Sequence, residues 1–233
     1  MPPPPYRCIA FDAVGTLIHP QPPAGEVYYN AARKFASQLG LEEITRRFHQ
    51  VFHEMESADR LAAADGGCAT DEAREEERWR GIVSRVIDDI TDPAGCFAEL
   101  FAHFSRPEAW RCFDDVAEGL ERLHAAGYRL AIASNFDGRL HSVCDVLEGL
   151  RPIDLRIISA EVGCRKPARA FFEALVRGAG CEAGEVLMIG DDPANDIDGA
   201  REAGLAALLI NRRGPRRPDE IGSLLELADR LAG

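Results

Sequence analysis

Three features of the sequence predict an α/β protein: a doubly wound parallel sheet with an all-helical subdomain inserted after its first strand. From Phe113 onward, amphipathic stretches alternate with short, continuously apolar ones, the pattern of helices laid on both faces of a parallel sheet. Between about residues 25 and 109 the periodicity is helical throughout, with no convincing strand. The short apolar run Cys8, Ile9, Ala10, Phe11 leads straight into Asp12 and a turn carrying Gly15 and Thr16. It reads as a buried strand that delivers one carboxylate, a costly group to bury unless something pairs or uses it.

Taken in order, Pro2 to Pro5 cannot pair in a sheet and read as a short extended lead. Helices are expected over 25–39, 41–63, 70–90 and 94–104, punctuated by Gly40, Gly66, Gly67 and Pro93. The mixed charges of DEAREEERWR read as a solvated helix face. Residues 114–127 form an amphipathic helix closed by Gly127, followed by a strand over 128–134. The series continues as helix 138–147, strand 155–158, helix 168–177, strand 186–189, helix 194–203, strand 206–210 and helix 219–231. Residues 1–18 and 110–233 therefore make the core, and 19–109 the insertion. The basic loop with Arg212, Arg213, Arg216 and Arg217 reads as a solvated turn rather than an anion site.

A chain of 233 residues can bury one large core and carry such an insert. Its formal charge of −12 disfavours nucleic acid and anionic membranes as partners, while a local cationic site would still admit a phosphorylated small molecule. Seven scattered cysteines with no CxxC pair suggest free thiols in a reducing compartment, not a disulfide framework or a zinc site. The start of the chain lacks signal-peptide character and no stretch is long and apolar enough to span a bilayer, so a cytoplasmic location is expected. No pattern specifies an oligomeric state.

In an open parallel sheet, ligands bind beyond the carboxyl ends of the strands. Those ends carry Asp12, then Ser134 and Asn135, then Asp191, Asp192 and Asp196, with Lys166 after the third strand. Asp12, Asp191 and Asp196 would repel one another in a crevice, and an oxygen-only set of this kind suits Mg²⁺ better than zinc. Asp12 is then placed to attack phosphorus, Ser134 to donate to a phosphoryl oxygen, Lys166 to neutralise charge and Thr16 to orient Asp12. Singly, each of these is an ordinary turn, cap or surface residue. Their recurrence at successive strand exits is what carries information. His19, Tyr28, Tyr29 and Arg33 near the first hinge have the chemistry to line a crevice, but aromatic residues on a helix more often pack, so they stay outside the candidate set.

FDAVGTL (11–17), IASN (132–135), RKP (165–167) and IGDDPANDIDGA (189–200) resemble, in order, the four motifs of the haloacid dehalogenase-like hydrolase superfamily. The helical insertion is similar to the mobile cap of members capped between the first and second motifs. The resemblance implies a Rossmann-like core, a cap over 19–109 and Mg²⁺. It implies Asp12 and Lys166 as catalytic residues, and Thr16, Ser134, Asn135 and Lys166 as the phosphate site. The metal set it implies is Asp12, the Val14 backbone carbonyl, Asp191 and Asp196.

Two departures qualify the activity. Phosphatases of this superfamily usually carry a second aspartate two positions after the nucleophile, as general acid and base, where this chain has Val14. General acid–base catalysis is commonly worth about 10² to 10⁴ in rate, so turnover is expected to be slow or specialised. The usual KPDP is KPAR here, with Ala168 and Arg169. Dehalogenating members also lack the second aspartate, yet tend to lose the acidity that GDDPAND keeps. The leading expectation is Mg²⁺-dependent hydrolysis of a small phosphate ester. The alternatives are a metal-independent 2-haloacid dehalogenase and a catalytically weak member that binds a phosphorylated ligand or protein.

Overall fold

A computed structural model describes residues 6–64, 67–212, 214, 216–217 and 220–232; the expected proline lead, Gly66 and Arg213 lie outside the described residues. The chain enters through β1 (Cys8–Phe11), whose side chains alternate between two cores. Ile9 and Phe11 face one and Cys8 and Ala10 the other, as the two-residue period of a strand requires. All four are essentially inaccessible, and burying Ile9 or Phe11 contributes about 1.5–3 kcal/mol each.

The chain then turns through β2 (Ile18–Pro20) into four helices: α1 (Ala24–Lys34), α2 (Leu41–Ala64), α3 (Glu72–Val86) and α4 (Pro93–Phe104). It returns through β3 (Trp110–Cys112), which pairs antiparallel with β2. The sequence shows no strand here because three residues are too few for a period to register. These helices enclose a core of their own, built on Tyr28, Ile44, Ile82, Phe97 and Leu100. Caps set their starts: the Asp71 carboxylate accepts from Arg74 N at 2.9 Å and that of Asp92 from Gly95 N at 2.9 Å, so α3 begins at Glu72 rather than Thr70.

The remainder alternates as expected, through α5 (Val116–Ala125), β4 (Arg129–Ser134), α6 (Arg139–Val146), β5 (Leu155–Ile158), α7 (Ser159–Val162), α8 (Arg169–Ala179) and β6 (Val186–Gly190). A π-helical turn (Pro193–Asp198), α9 (Gly199–Glu202), β7 (Ala206–Leu209) and α10 (Leu224–Ala232) follow. The five strands β5-β4-β1-β6-β7 form one parallel sheet, with α5, α6 and α10 against one face and α8 and α9 against the other. This is the doubly wound, Rossmann-like arrangement.

Two helices differ from expectation. Residues 194–203 do not run as one α-helix, because Asp192 caps Ala194 N and Asn195 N while Asp196 folds back to accept from Asp192 N at 3.0 Å. The last helix starts at Leu224, not near 219. Ile221 instead bridges Ile210 at the sheet edge, and Leu224 N donates to the Asp115 carboxylate at 2.6 Å.

Candidate active site

Strands β4, β1 and β6 are neighbours, so their carboxyl ends stand side by side at the spacing of adjacent strands, about 4.7–4.9 Å. That places Asp12, Ser134 and Asp191 in one crevice. Lys166, on the loop after α7, reaches under them: its Nζ donates to Asp12 Oδ1 at 2.7 Å, Asp196 Oδ1 at 2.6 Å and Ala133 O at 2.8 Å. Ser134 Oγ donates to the same Asp12 oxygen at 3.0 Å. Both bonds fall on Oδ1, which leaves Asp12 Oδ2 uncommitted among the described residues.

Close approach is built into two glycines. Gly15 adopts a φ of +94°, and a Cβ there would lie 2.3 Å from an Asp191 carboxylate oxygen. A Cβ on Gly190 would meet the Asp196 carboxylate at 2.1 Å. Any side chain at either position would push an acid out of the cluster.

One carboxylate oxygen from each of Asp12, Asp191 and Asp196 lies within 4.8 Å of the others. Three carboxylates stand around one ammonium, which contacts two of them, and the titration of the group reflects the imbalance. Burial opposes the charge of Lys166, but Asp12 and Asp196 outweigh it and hold the ammonium above the usual lysine range. Burial pushes the Asp196 carboxyl up, and Lys166 takes back only part of that shift. Asp191 is exposed at residue level yet sits in a concave wall. Loss of water there, then repulsion from Asp12, raises it to about 6 against a pull down from Thr16. The donor chemistry is all oxygen and carries an excess of negative charge, which fits a hard divalent cation such as Mg²⁺.

Three residues sit differently from expectation. Thr16 is fully buried and its hydroxyl donates to Asp191 Oδ1 at 3.1 Å, so it orients Asp191 rather than Asp12. Asn135 engages the main chain of Lys166 with both ends of its carboxamide, at 3.0 and 2.7 Å, and so anchors the lysine loop. Arg212 is not part of a solvated turn. It donates to Thr16 O at 2.6 and 3.1 Å and to Asp115 at 2.7 Å, and lies over the Phe113 ring, pinning the Asp12 turn from outside. Arg216 and Arg217 are exposed as expected.

Val14 is 36% exposed and lines a cavity of about 470 Å³ together with Gly15, His19, Phe113 and Asp191. Tyr28 is buried against Phe48 and Phe104, as the packing expectation holds. The helical segment meets the core beside the crevice through a charge network that the sequence did not signal. Arg165 pairs with Glu75 and, at 3.3 Å, with Glu56; Arg78 reaches Glu56 at 2.6 Å and Asp59 at 2.8 Å. Asn195 donates to Glu56 at 2.8 Å, and Arg60 lies 3.7 Å from Asp192.

The expectation of seven free thiols is corrected: Cys68, before α3, is bonded to Cys164, two residues from Lys166. Their separation of 96 residues hides the pairing from any spacing rule, while a Cα–Cα distance of 5.0 Å brings them within bridging range. The other five cysteines are free.

Comparison with known proteins agrees with this geometry. The family model described as haloacid dehalogenase-like hydrolase matches residues 6–204. The human haloacid dehalogenase-like hydrolase domain-containing protein 3 is 26% identical over 92% of this chain and 85% of its own length. A ribulose-1,5-bisphosphate 5-phosphatase of Halopiger xanaduensis is 28% identical over 96% of this chain and 90% of its own. The crystal structure of a HAD phosphatase from Thermococcus onnurineus superposes with a TM-score of 0.68 at 25% identity, covering 97% of this chain and 98% of that one.

Proposed function

The chain belongs to the haloacid dehalogenase-like hydrolase family, and from that premise we propose that it hydrolyses a small phosphate ester through a covalent intermediate on Asp12. The observation that carries the reading is the asymmetric use of the Asp12 carboxylate. Ser134 and Lys166 both hold Oδ1, so Oδ2 is the nucleophile, already oriented and with no hydrogen bond to break among the described residues.

In the first step Asp12 Oδ2 bonds to phosphorus as the ester P–O bond breaks, and the leaving oxygen takes a proton from water. In the second, water attacks the same phosphorus, releasing phosphate and restoring the carboxylate. With substrate present, Ser134 Oγ and Lys166 Nζ are within a short re-aiming of the phosphoryl oxygens, where they would offset developing charge. Asp12, the Val14 carbonyl, Asp191 and Asp196 would hold Mg²⁺, which when bound offsets the charge of the phosphoryl group and the acidic cluster. Residues 19–109 act as the cap that selects the substrate.

Val14 sets the limit on this chemistry, because it has no proton to give the leaving oxygen. Esters with good leaving groups need less protonation and should turn over faster. The deciding experiment compares an aryl with an alkyl phosphate, with Mg²⁺ and with EDTA. Aryl turnover that requires Mg²⁺ and exceeds alkyl turnover by about 10² or more supports the reading. Halide release from a 2-haloacid in EDTA, without phosphatase turnover, would replace it with attack on carbon. Equal aryl and alkyl rates would overturn the role given to Val14.

A further inference from the structure

We propose that Cys68 and Cys164 form a redox modification site that fastens the helical segment over the active-site crevice. The inference goes beyond phosphate-ester hydrolysis and takes from that reading only that residues 19–109 cover the site.

Two attachments of the helical segment to the core decide how it can move. One is its pair of covalent connections, where β2 pairs with β3. The other lies at the opposite end of α2, where residues 68–70 run antiparallel to 163–165. There Arg165 N donates to Cys68 O at 3.0 Å and Thr70 N to Gly163 O at 3.2 Å, with Ala69 bridging Cys164. The second attachment includes the buried Arg165–Glu75 pair and the Thr70–Glu75 hydrogen bond of 2.7 Å. The disulfide is the one covalent link there among the described residues. With the bond closed, the segment cannot swing about β2–β3 without dragging the loop that carries Lys166; with it open, only non-covalent contacts resist.

The remaining thiols do not compete. Cys8, Cys96 and Cys144 are buried, Cys112 and Cys181 half-buried, and burial holds all five above the usual thiol range, so none is a ready thiolate. Access also assigns the direction of attack, since Cys68 is half-exposed and Cys164 buried. A dithiol reductant attacks Cys68 Sγ as a thiolate. The S–S bond breaks, its electron pair leaves on Cys164 Sγ, and that sulfur takes a proton. The second thiolate of the reductant then displaces Cys68, which takes the other proton, and the reductant departs as a cyclic disulfide.

The test needs no turnover. Peptide mapping of the mildly oxidised full chain, after alkylation of free thiols, should return Cys68 and Cys164 as one cross-linked species. Hydrogen exchange at the connections, residues 18–24 and 104–112, should then rise about tenfold on adding dithiothreitol, as when a tether holding two surfaces at high effective concentration is cut. Cys68→Ser should exchange fast with or without reductant. The proposal is overturned if no cross-linked peptide forms, if wild-type exchange ignores dithiothreitol, or if Cys68→Ser keeps the wild-type response. A protein inactive on every phosphate ester would still answer these questions, so loss of the hydrolase reading and loss of this one are separable.

Discussion

Two clusters of buried charge lie side by side in this protein, and they are built on opposite terms. At the junction of helical segment and core, the buried carboxylates beside the crevice meet guanidiniums: Glu75 meets Arg165, Glu56 meets Arg78 and Arg165, and Asp59 meets Arg78. In the crevice, Asp12 and Asp196 share one lysine, and Asp191 is held by the Thr16 hydroxyl without a cation in contact among the described residues. A paired cluster resists opening because removing one partner strands another. A cluster with more carboxylates than cations is poised to take up positive charge. The difference separates a structural seam from a reactive centre that share one interface.

Reactivity separates the two clusters most sharply. Asp12→Asn should abolish aryl phosphate hydrolysis, a loss of at least about 10⁴-fold, because the only oxygen left free to attack becomes part of an amide. Unchanged turnover would move the chemistry elsewhere. Val14→Asp tests the missing proton donor in the same crevice. It should raise alkyl phosphate turnover by about 10² to 10⁴ with a smaller gain for aryl esters. No gain for either ester would point to a binding role. Neither substitution touches the paired cluster, so urea melts should change little.

The paired cluster should answer in stability. Arg165→Met leaves Glu75 without a guanidinium and Glu56 and Asp59 with Arg78 as their remaining one. A loss of about 3–5 kcal/mol in urea denaturation is expected, the cost of breaking a buried pair from one side. A change under 1 kcal/mol, on the order expected of exposed pairs, would show that the seam is solvated and would erase the contrast with the crevice.

How much of this was legible in the sequence follows from what a parallel sheet guarantees. Strands that run the same way present their carboxyl ends on one side, so Asp12, Ser134 and Asp191 could be collected from order alone. The apolar runs that mark β1, β4 and β6 are long enough to read. Asn135 and Thr16 were legible as members of the site but their protein partners were not, since composition does not say which main chain an amide meets or which carboxylate a hydroxyl meets. Arg212 looked like its solvated neighbours because a charge run carries no sign of which member turns inward onto Thr16 O. Cys68 and Cys164, like Glu56 and Arg165, meet only after the helical segment folds back on the core. Contacts of that kind obey no local period.

The smallest expected effect is the one that reads the imbalance of the crevice directly. With its carboxyl raised from 3.8 to about 6, folded Asp191 retains a proton that the unfolded chain has already released between about pH 4 and pH 6. Its contribution to stability is therefore complete below about pH 4 and is lost as pH rises through about 6. Asp196 is shifted in the same direction and adds to the trend. A divalent cation does for the ionised cluster what the proton does for the neutral one, so Mg²⁺ should raise the melting temperature by a few degrees at about pH 8 and by much less at about pH 5. Asp191→Asn should remove most of that difference while melting slightly higher than wild type without metal, because a mutual repulsion is gone. The same shift at both pH values, or a variant that responds to Mg²⁺ as wild type does, would place the cation outside the cluster.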